Sequence, residues 1–320
     1  MPFALLIGLG AGLVSAVLFA SAATGTMLGL FILFLLSPLP VAIAGLGWGW
    51  PTSAVAAAVG AIMVAITGAP RAGVLYVIAL GLPTVVLVYL ALLNRTVPAN
   101  PTDSTESPVA WYPLGRVVTA AAVWGGVVAA LALLATASDI EGLRAAFRDD
   151  LEKFVRAMPM LTVEPAIGEN DIAALADFIV PRFADALATA WTALAVLNLW
   201  LAGVVTRKSG RLIRPWPDLP SLTLPRSLRS VFALAIALTF VLPGYPGLMA
   251  SGFASAFMFA FMLVGLAIIH HVTRGNGMRL IILGAVYAAL LLFFYYSRFP
   301  IALIGVAEPF SPLRRRPPPT

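Results

Sequence analysis

The sequence predicts an all-α fold: a polytopic transmembrane helical bundle of about 8–10 membrane segments with an extra-membrane amphipathic helix. Of its 320 residues, 61% are hydrophobic and 11% are charged, whereas an ordinary soluble domain has about 25% charged residues. The charges are also unevenly distributed, because residues 1–94 carry only Arg71 while residues 139–185 carry 15 charges. This composition excludes a soluble enzyme, a disordered protein and a secreted disulfide scaffold.

Hydropathy divides the chain into six regions of different character. These are an N-terminal four-segment membrane block at 1–94, a polar cytoplasmic linker at 95–114, a fifth span at 115–137, an outer amphipathic helical region at 138–186, a C-terminal membrane block at 187–309 with a basic cytoplasmic loop at 205–228, and a disordered basic and proline-rich tail at 310–320. Residues 279–309 are long for one span, and Pro300 is expected to break them.

The positive-inside rule gives the expected orientation. Residues 205–229 hold six basic side chains and one acid, Asp218, whereas residues 139–177 hold nine acids and four bases. The first stretch is therefore placed in the cytoplasm and the second outside. Counting spans back from the outer region puts the N-terminus in the cytoplasm of a multi-pass protein. Abundant arginine, alanine, glycine and proline favour a bacterial cytoplasmic (inner) membrane.

The outer region contains the strongest amphipathic pattern. Ser138 and Glu141 have the spacing of a capping box, and apolar residues recur every three or four positions from Ile140 to Met158. Three readings remain open: an interfacial helix on the outer leaflet, a structural cap packed on the spans, and a lid over an outward-facing pocket.

The first helix carries a ridge of small residues at intervals of four: Gly8, Gly12, Ala16 and Ala20. This spacing places all four on one helix face, where another helix backbone can approach closely. The ridge predicts either packing within this chain or a docking face for a partner membrane subunit.

Five polar or helix-breaking residues are candidates for a pocket. Pro38 and Pro40 remove backbone donors from the second segment, which predicts either a broken helix that lines a cavity or a plain kink or short loop. Asn198 is a polar side chain in an apolar span, where it bonds to a neighbouring helix or contacts a substrate. Asp185 would need a partner at membrane depth, and Arg182 lies three residues before it.

The sequence offers no recognisable chemistry for an enzyme. It contains no cysteine, no phosphate-binding loop, no H-E-x-x-H and no G-x-S-x-G motif. We therefore expect no catalytic residues, no metal ligands, no cofactor and no nucleic-acid partner. The expected partner is the lipid bilayer, and the basic tail is expected to touch anionic lipid.

The chain resembles the YybS-like family of uncharacterised bacterial integral membrane proteins, a domain of unknown function. Three places carry the resemblance: Pro38-Leu39-Pro40 ahead of Gly45–Gly49, the Asn198 helix followed by Arg207, and Leu303–Glu308 leading to Arg314–Arg316.

That family is similar in organisation to the S-components of energy-coupling-factor transporters. Ala16 and Ala20 match the Ala-x-x-x-Ala motif that docks the transmembrane coupling subunit in those proteins. The resemblance implies a small-molecule binding or transport subunit that works with transmembrane coupling and ATPase subunits. The alternative is a non-transport membrane scaffold that organises a cell-envelope protein assembly.

Overall fold

The computed structural model describes residues 2–21, 33–96, 109–157 and 168–310. Helices dominate these residues. They are α1 (Pro2–Ser21), α2 (Leu39–Trp48), α3 (Trp50–Thr67), α4 (Pro70–Leu92), α5 (Leu114–Thr136), α6 (Ile140–Ala157), α7 (Glu169–Lys208), α8 (Ser227–Val241), α9 (Tyr245–Val272), α10 (Arg279–Leu292) and α11 (Phe294–Ala307). α4 contains a π-helical segment at Val77–Gly81.

Six helices are long and apolar enough to cross a membrane: α1, α3, α4, α5, α7 and α9. Shorter apolar helices lie at Leu33–Trp48, Ser227–Val241 and Arg279–Leu292. Several of their large apolar side chains are exposed, with Phe240 at 85% and Leu280 at 86%, and lipid chains can cover such surfaces. The predicted all-α polytopic bundle is confirmed.

Unit 1 comprises Met1–Ala121 and Ala193–Pro225. In this unit α1 packs along α3, and α2, α3 and α4 pack on one another. One apolar core joins α2, α4 and the end of α7 through Leu46, Val88 and Ala202. Because these side chains pack together and exclude lipid and water, the polar side chains of the unit lie outside this apolar core.

Unit 2 comprises Ala122–Thr192 and Arg226–Thr320. Its most buried helix is α9, which packs against α8 and α11. α5 and α7 each contribute residues to both units. α7 has 40 residues and is therefore ~60 Å long, about twice the ~30 Å hydrocarbon core of a bilayer. Pro181 lies inside it.

The amphipathic helix α6 belongs to unit 2, and its first turns pack against other helices of that unit. Leu143 is fully buried beside Leu133 and Val180, while Phe154 is 41% exposed. This contact favours the interpretation that the first half of α6 is a structural cap packed on the spans. Met158 lies outside the described residues. The predicted capping box is wrong, because the carboxylate of Asp139 accepts from the Gly142 N–H at 2.7 Å.

Two further expectations need correction. The C-terminal segment breaks at Phe293, between α10 and α11, whereas Pro300 lies inside α11. The Phe293 N–H still bonds to the Ala289 carbonyl at 2.9 Å, and the Ser297 hydroxyl donates to the same carbonyl at 3.1 Å. These bonds satisfy the end of α10 and permit the break there.

The expected linker at 95–114 is ordered at both ends. Strand β1 (Asn94–Thr96) pairs antiparallel with strand β2 (Val109–Trp111). Between them, residues 97–108 lie outside the described residues, as do residues 22–32 at the start of the second segment and the tail from 311 to 320.

Candidate functional site: a buried charged cluster in unit 2

Five polar side chains meet inside unit 2, and we call them the charged cluster: Asp185, Thr189, Ser251, Ser255 and Arg298. α7 supplies the first two, α9 the two serines, and α11 the arginine. On both α7 and α9 the pair is spaced four residues apart, which places its members on one helix face. Helical periodicity therefore aligns the members within each helix, while the packing of three helices brings them together.

Arg298 is the most unusual member of the cluster because its side chain is only 3% exposed. Its Nη1 donates to the Thr189 hydroxyl at 3.2 Å, while its Nε has no hydrogen-bond partner. The guanidinium also lies over the ring of Tyr295, 4.8 Å from the ring centroid. A guanidinium has five N–H donors, so this environment uses only part of its hydrogen-bonding capacity.

Asp185 faces the same cluster from α7. Its carboxylate interacts with the side chains of Ser251 and Ser255 and with the positive charge of Arg298. Its Oδ1 atom is buried and accepts no hydrogen bond. The cluster thus has one hydrogen-bond acceptor, Asp185 Oδ1, and one donor, Arg298 Nε, that lack partners.

Close backbone approach brings α9 and α11 together around the cluster. A Cβ atom on Gly265 would lie 1.9 Å from the Ile301 carbonyl oxygen, and one on Gly305 would lie 2.1 Å from the Phe261 carbonyl oxygen. Only glycine fits at both positions. In the same unit, a Cβ on Gly125 of α5 would overlap the Thr192 hydroxyl of α7.

The unpartnered atoms of the cluster define the groups with which it can form hydrogen bonds. A buried donor and a buried acceptor without partners each carry a desolvation penalty, which a complementary ligand would remove. The guanidinium suits a carboxylate, phosphate or carbonyl oxygen, while the carboxylate suits an N–H or O–H donor.

Unit 1 contains the predicted break of the second segment. Helical residues 33–36 are followed by a turn at Ser37 and Pro38, and α2 begins at Leu39. The Ser15 hydroxyl donates to the Ser37 carbonyl at 2.5 Å and lies 2.6 Å from the Tyr76 hydroxyl. The break is therefore held by neutral hydrogen bonds from neighbouring helices.

Asn198 bonds across to this break. Its Nδ2 donates to the Leu35 carbonyl at 2.8 Å and to the Leu194 carbonyl at 2.9 Å. The bond to a neighbouring segment is the structural alternative considered for this residue. Its Oδ1 is buried without a partner. Pro38 is buried beside the turn and Pro40 is partly buried in the first turn of α2.

The five pocket candidates belong to different units: Pro38, Pro40 and Asn198 to unit 1, and Arg182 and Asp185 to unit 2. Among the described residues, Asp185 forms no ion pair within 4.0 Å with Arg182, which their spacing suggested, and none with Arg298. Arg182 Nη1 donates to the Phe178 carbonyl at 2.7 Å, and the Arg182 guanidinium lies 4.0 Å from the centroid of the Phe178 ring.

The small-residue ridge of α1 faces α3 of its own unit. A Cβ on Gly8 would lie 3.0 Å from Val55, and one on Gly12 would lie 2.5 Å from the Ala56 carbonyl. Ala16 is 6% exposed. Ala20 is exposed, so it is the one ridge position that stays accessible in this unit's described residues.

Sequence reasoning identified Asp185 but missed Arg298 and the two serines. The sequence did contain an indication of Arg298, because it is the lone charged residue between Arg279 and Glu308 in an otherwise apolar stretch. Ser251 and Ser255 are spaced as one helix face, but serine is tolerated in membrane helices. Nothing in the sequence pairs them with a particular partner helix.

Comparison with known proteins gives one match. No curated protein and no solved structure matches the chain. A family model described as "Predicted membrane protein (DUF2232)" matches residues 13–307. This match covers nearly the whole chain and includes every residue of the charged cluster. The family's function is unknown, so the similarities to the YybS-like family and to S-components stay predictions. The chain belongs to the DUF2232 family of predicted membrane proteins.

Proposed function

We propose that this multi-pass membrane protein binds a small polar solute at the charged cluster, as the solute-binding subunit of a transport system in the bacterial cytoplasmic membrane. The observation that carries the proposal is the burial of Arg298 with an unpartnered Nε. A buried arginine without a full set of hydrogen-bond partners is costly, because desolvation disfavours its charge. Such residues typically mark substrate and ion pathways.

The cluster also defines the chemistry of the solute. Arg298 offers N–H donors, while Asp185 and the two serines offer acceptors within the same unit. A matching molecule carries an anionic or carbonyl oxygen at one end and an N–H or O–H donor at the other. A zwitterionic or amide-bearing metabolite meets this description, whereas a purely apolar ligand does not.

The resemblance to S-components supports a division of labour among subunits. In this arrangement the present chain captures the solute from outside, and separate transmembrane coupling and ATPase subunits supply the energy. The charge bias supports the orientation, with the N-terminus and the basic loop in the cytoplasm.

The test is thermal unfolding of the purified protein in detergent against a panel of small polar metabolites. A ligand at 100 times its Kd stabilises the folded state by about 2.7 kcal/mol. We expect Arg298→Met and Asp185→Asn to abolish the stabilisation. Arg182→Met is the matched control, because Arg182 is an exposed arginine near Asp185 that bonds to its own helix. A ligand that stabilises the Arg298→Met variant as strongly as the wild type contradicts the proposal.

The subunit partners are tested by co-purification from native membranes. Ala16 is buried within unit 1, so a substitution there would disturb the fold as well as any docking. Ala20→Leu is the cleaner probe, and Gly10→Leu is its control because a side chain at Gly10 meets open space. Loss of the coupling and ATPase subunits from Ala20→Leu alone supports docking. Stable protein partners without any stabilising metabolite favour the membrane scaffold instead.

A further inference from the structure

A second feature of the molecule lies in unit 1, where the loop after α7 folds back on the ends of other helices. The Ile213 N–H donates to the Leu46 carbonyl at 3.2 Å, and Arg214 Nη1 donates to the Ala91 carbonyl at 3.1 Å. Leu212 packs against the apolar core of the same unit. These contacts fix the loop against the C-terminal ends of α2 and α4.

Arg207 at the end of α7 and two arginines of this loop lie over tryptophan rings, and we call the six residues the Arg–Trp surface. The guanidinium carbons lie 5.0–5.9 Å from the ring centroids, in the pairs Arg207–Trp216, Arg211–Trp48 and Arg214–Trp111. A cation–π contact uses the face of a guanidinium, so the N–H groups of the exposed Arg207 and Arg211 stay available to an oxyanion, whereas Arg214 donates to Ala91. Tryptophan itself is enriched at the level of lipid headgroups.

The stretch of chain that carries these arginines, residues 205–218, is strongly positive. Arg207, Lys208, Arg211 and Arg214 contribute four positive charges, and Asp218 is the one acidic side chain in the described residues of unit 1. Four positive charges less one leaves an excess of three. Arg207 and Arg211 are exposed, whereas burial lowers the pKa of the Arg214 guanidinium below its ordinary value. The exposed pair is therefore the part of the surface that is available to a ligand.

We propose that the Arg–Trp surface binds the phosphate groups of anionic phospholipids, with Arg207 and Arg211 as the principal contacts. The surface lies at the ends of membrane-spanning helices, so lipid phosphates are the anions present at high local concentration there. Aromatic rings beside the arginines suit the boundary between headgroups and acyl chains. The stacked guanidinium edges add bidentate geometry to the general attraction of a basic segment for an acidic leaflet.

The experiment measures lipid retention by native mass spectrometry after extraction into a neutral detergent. The protein is supplied with phosphatidylglycerol or phosphatidylcholine, and inorganic phosphate is tested as a separate competitor. We expect a preference for phosphatidylglycerol, which Arg207→Gln with Arg211→Gln reduces by about fivefold per charge removed. Arg214 is left intact because its bond to Ala91 holds the loop.

The matched control removes two exposed basic side chains from α6, with Arg148→Gln and Arg156→Gln. Both have acidic neighbours, at 3.8 Å for Arg148 to Asp177 and 3.0 Å for Arg156 to Glu152, so we expect them to leave the lipid preference unchanged. The pair Arg207→Lys and Arg211→Lys keeps the charge but loses the planar fork, and we expect it to retain only part of the preference.

Three outcomes would overturn the proposal. They are an undiminished lipid preference in the Gln pair, full retention in the Lys pair, and displacement of the lipid by millimolar inorganic phosphate. The last outcome would identify a site for free phosphate. None of these measurements depends on the solute proposed for unit 2, so the two proposals stand or fall separately.

Discussion

The two units bury polar side chains of different kinds. At the break in unit 1, the side chains that bond to the freed carbonyls are neutral: Ser15 and Asn198. In unit 2, Arg298 is buried near the carboxylate of Asp185 without a close ion pair to it, and each keeps an atom without a hydrogen bond, as Asn198 does in unit 1. A neutral group without a partner costs about 1–3 kcal/mol, and a charged group costs more.

This difference separates polar side chains that the fold itself requires from polar side chains that we assign to solute binding. Asn198 and Ser15 have a sufficient structural reason to be where they are, because the break at Pro38 exposes carbonyls inside a membrane protein. Arg298 repairs no such break. Its hydrogen-bond partner here is the neutral Thr189 hydroxyl, so the arginine adds a desolvation cost that packing alone does not require. A ligand would remove that cost.

The largest effect is expected when Asp185 is removed and Arg298 is left alone. Asp185→Leu removes the carboxylate whose charge favours the buried guanidinium of Arg298 without forming a close ion pair, and we expect a loss of about 3–4 kcal/mol in the free energy of unfolding. The double substitution Asp185→Leu with Arg298→Met removes both charges and is expected to recover stability to within about 1 kcal/mol of the wild type. Denaturant titration in detergent measures all three proteins.

If the double variant recovers stability but does not bind the solute, the two charges destabilise the fold and are needed for solute binding. If the double variant stays as unstable as Asp185→Leu, the two side chains do not compensate each other. The cluster is then not an energetically coupled site.

The next effect concerns the helix crossing that positions Arg298. Gly265→Ala places a Cβ 1.9 Å from the Ile301 carbonyl oxygen, so α9 and α11 must separate. We expect a loss of about 3 kcal/mol in the free energy of unfolding. Gly284→Ala on α10 is the matched control, because nothing lies within 4 Å of its Cβ. That control should be neutral or slightly stabilising, and equal behaviour of the two variants would contradict the close crossing.

A smaller effect is expected at the break in unit 1. Asn198→Ala leaves the Leu35 carbonyl without its side-chain donor, and we expect a loss of about 1–2 kcal/mol. Solute binding should be unchanged, because Asn198 serves the break. Thr136→Ala is the control, since that exposed hydroxyl bonds only to a carbonyl of its own helix at 2.8 Å. Loss of solute binding in Asn198→Ala would restore this residue as a pocket candidate.

The sequence was sufficient for the parts of this molecule that depend on local composition. Uncharged stretches of about 20 residues predicted the spans, and the three- and four-residue spacing between Ile140 and Leu151 predicted α6. The break near Pro38 followed from the lost backbone donors. Each of these properties is contained in a few consecutive residues.

The charged cluster could be predicted only in part because it depends on which helices meet. Asp185 was recognisable as a carboxylate near a span, but its counter-charge lies 113 positions further along the chain. Spacing suggested Arg182 instead, three residues away, and the structure turns that side chain toward Phe178. The close approach at Gly265 and Gly305 that brings α11 to α9 has no signal in a chain with 27 glycines.

The smallest effect is expected for an exposed arginine–aspartate ion pair. Arg144 of α6 bonds to Asp177 of α7 at 2.6 Å, with the Asp177 side chain 52% exposed. Water solvates both groups when they separate, so Asp177→Asn should lower the Tm by no more than about 2 °C. High salt should remove even that difference. A loss as large as that of Asp185→Leu would show that burial does not distinguish Asp185 from Asp177, and the argument that assigns function to Arg298 from its burial would fail.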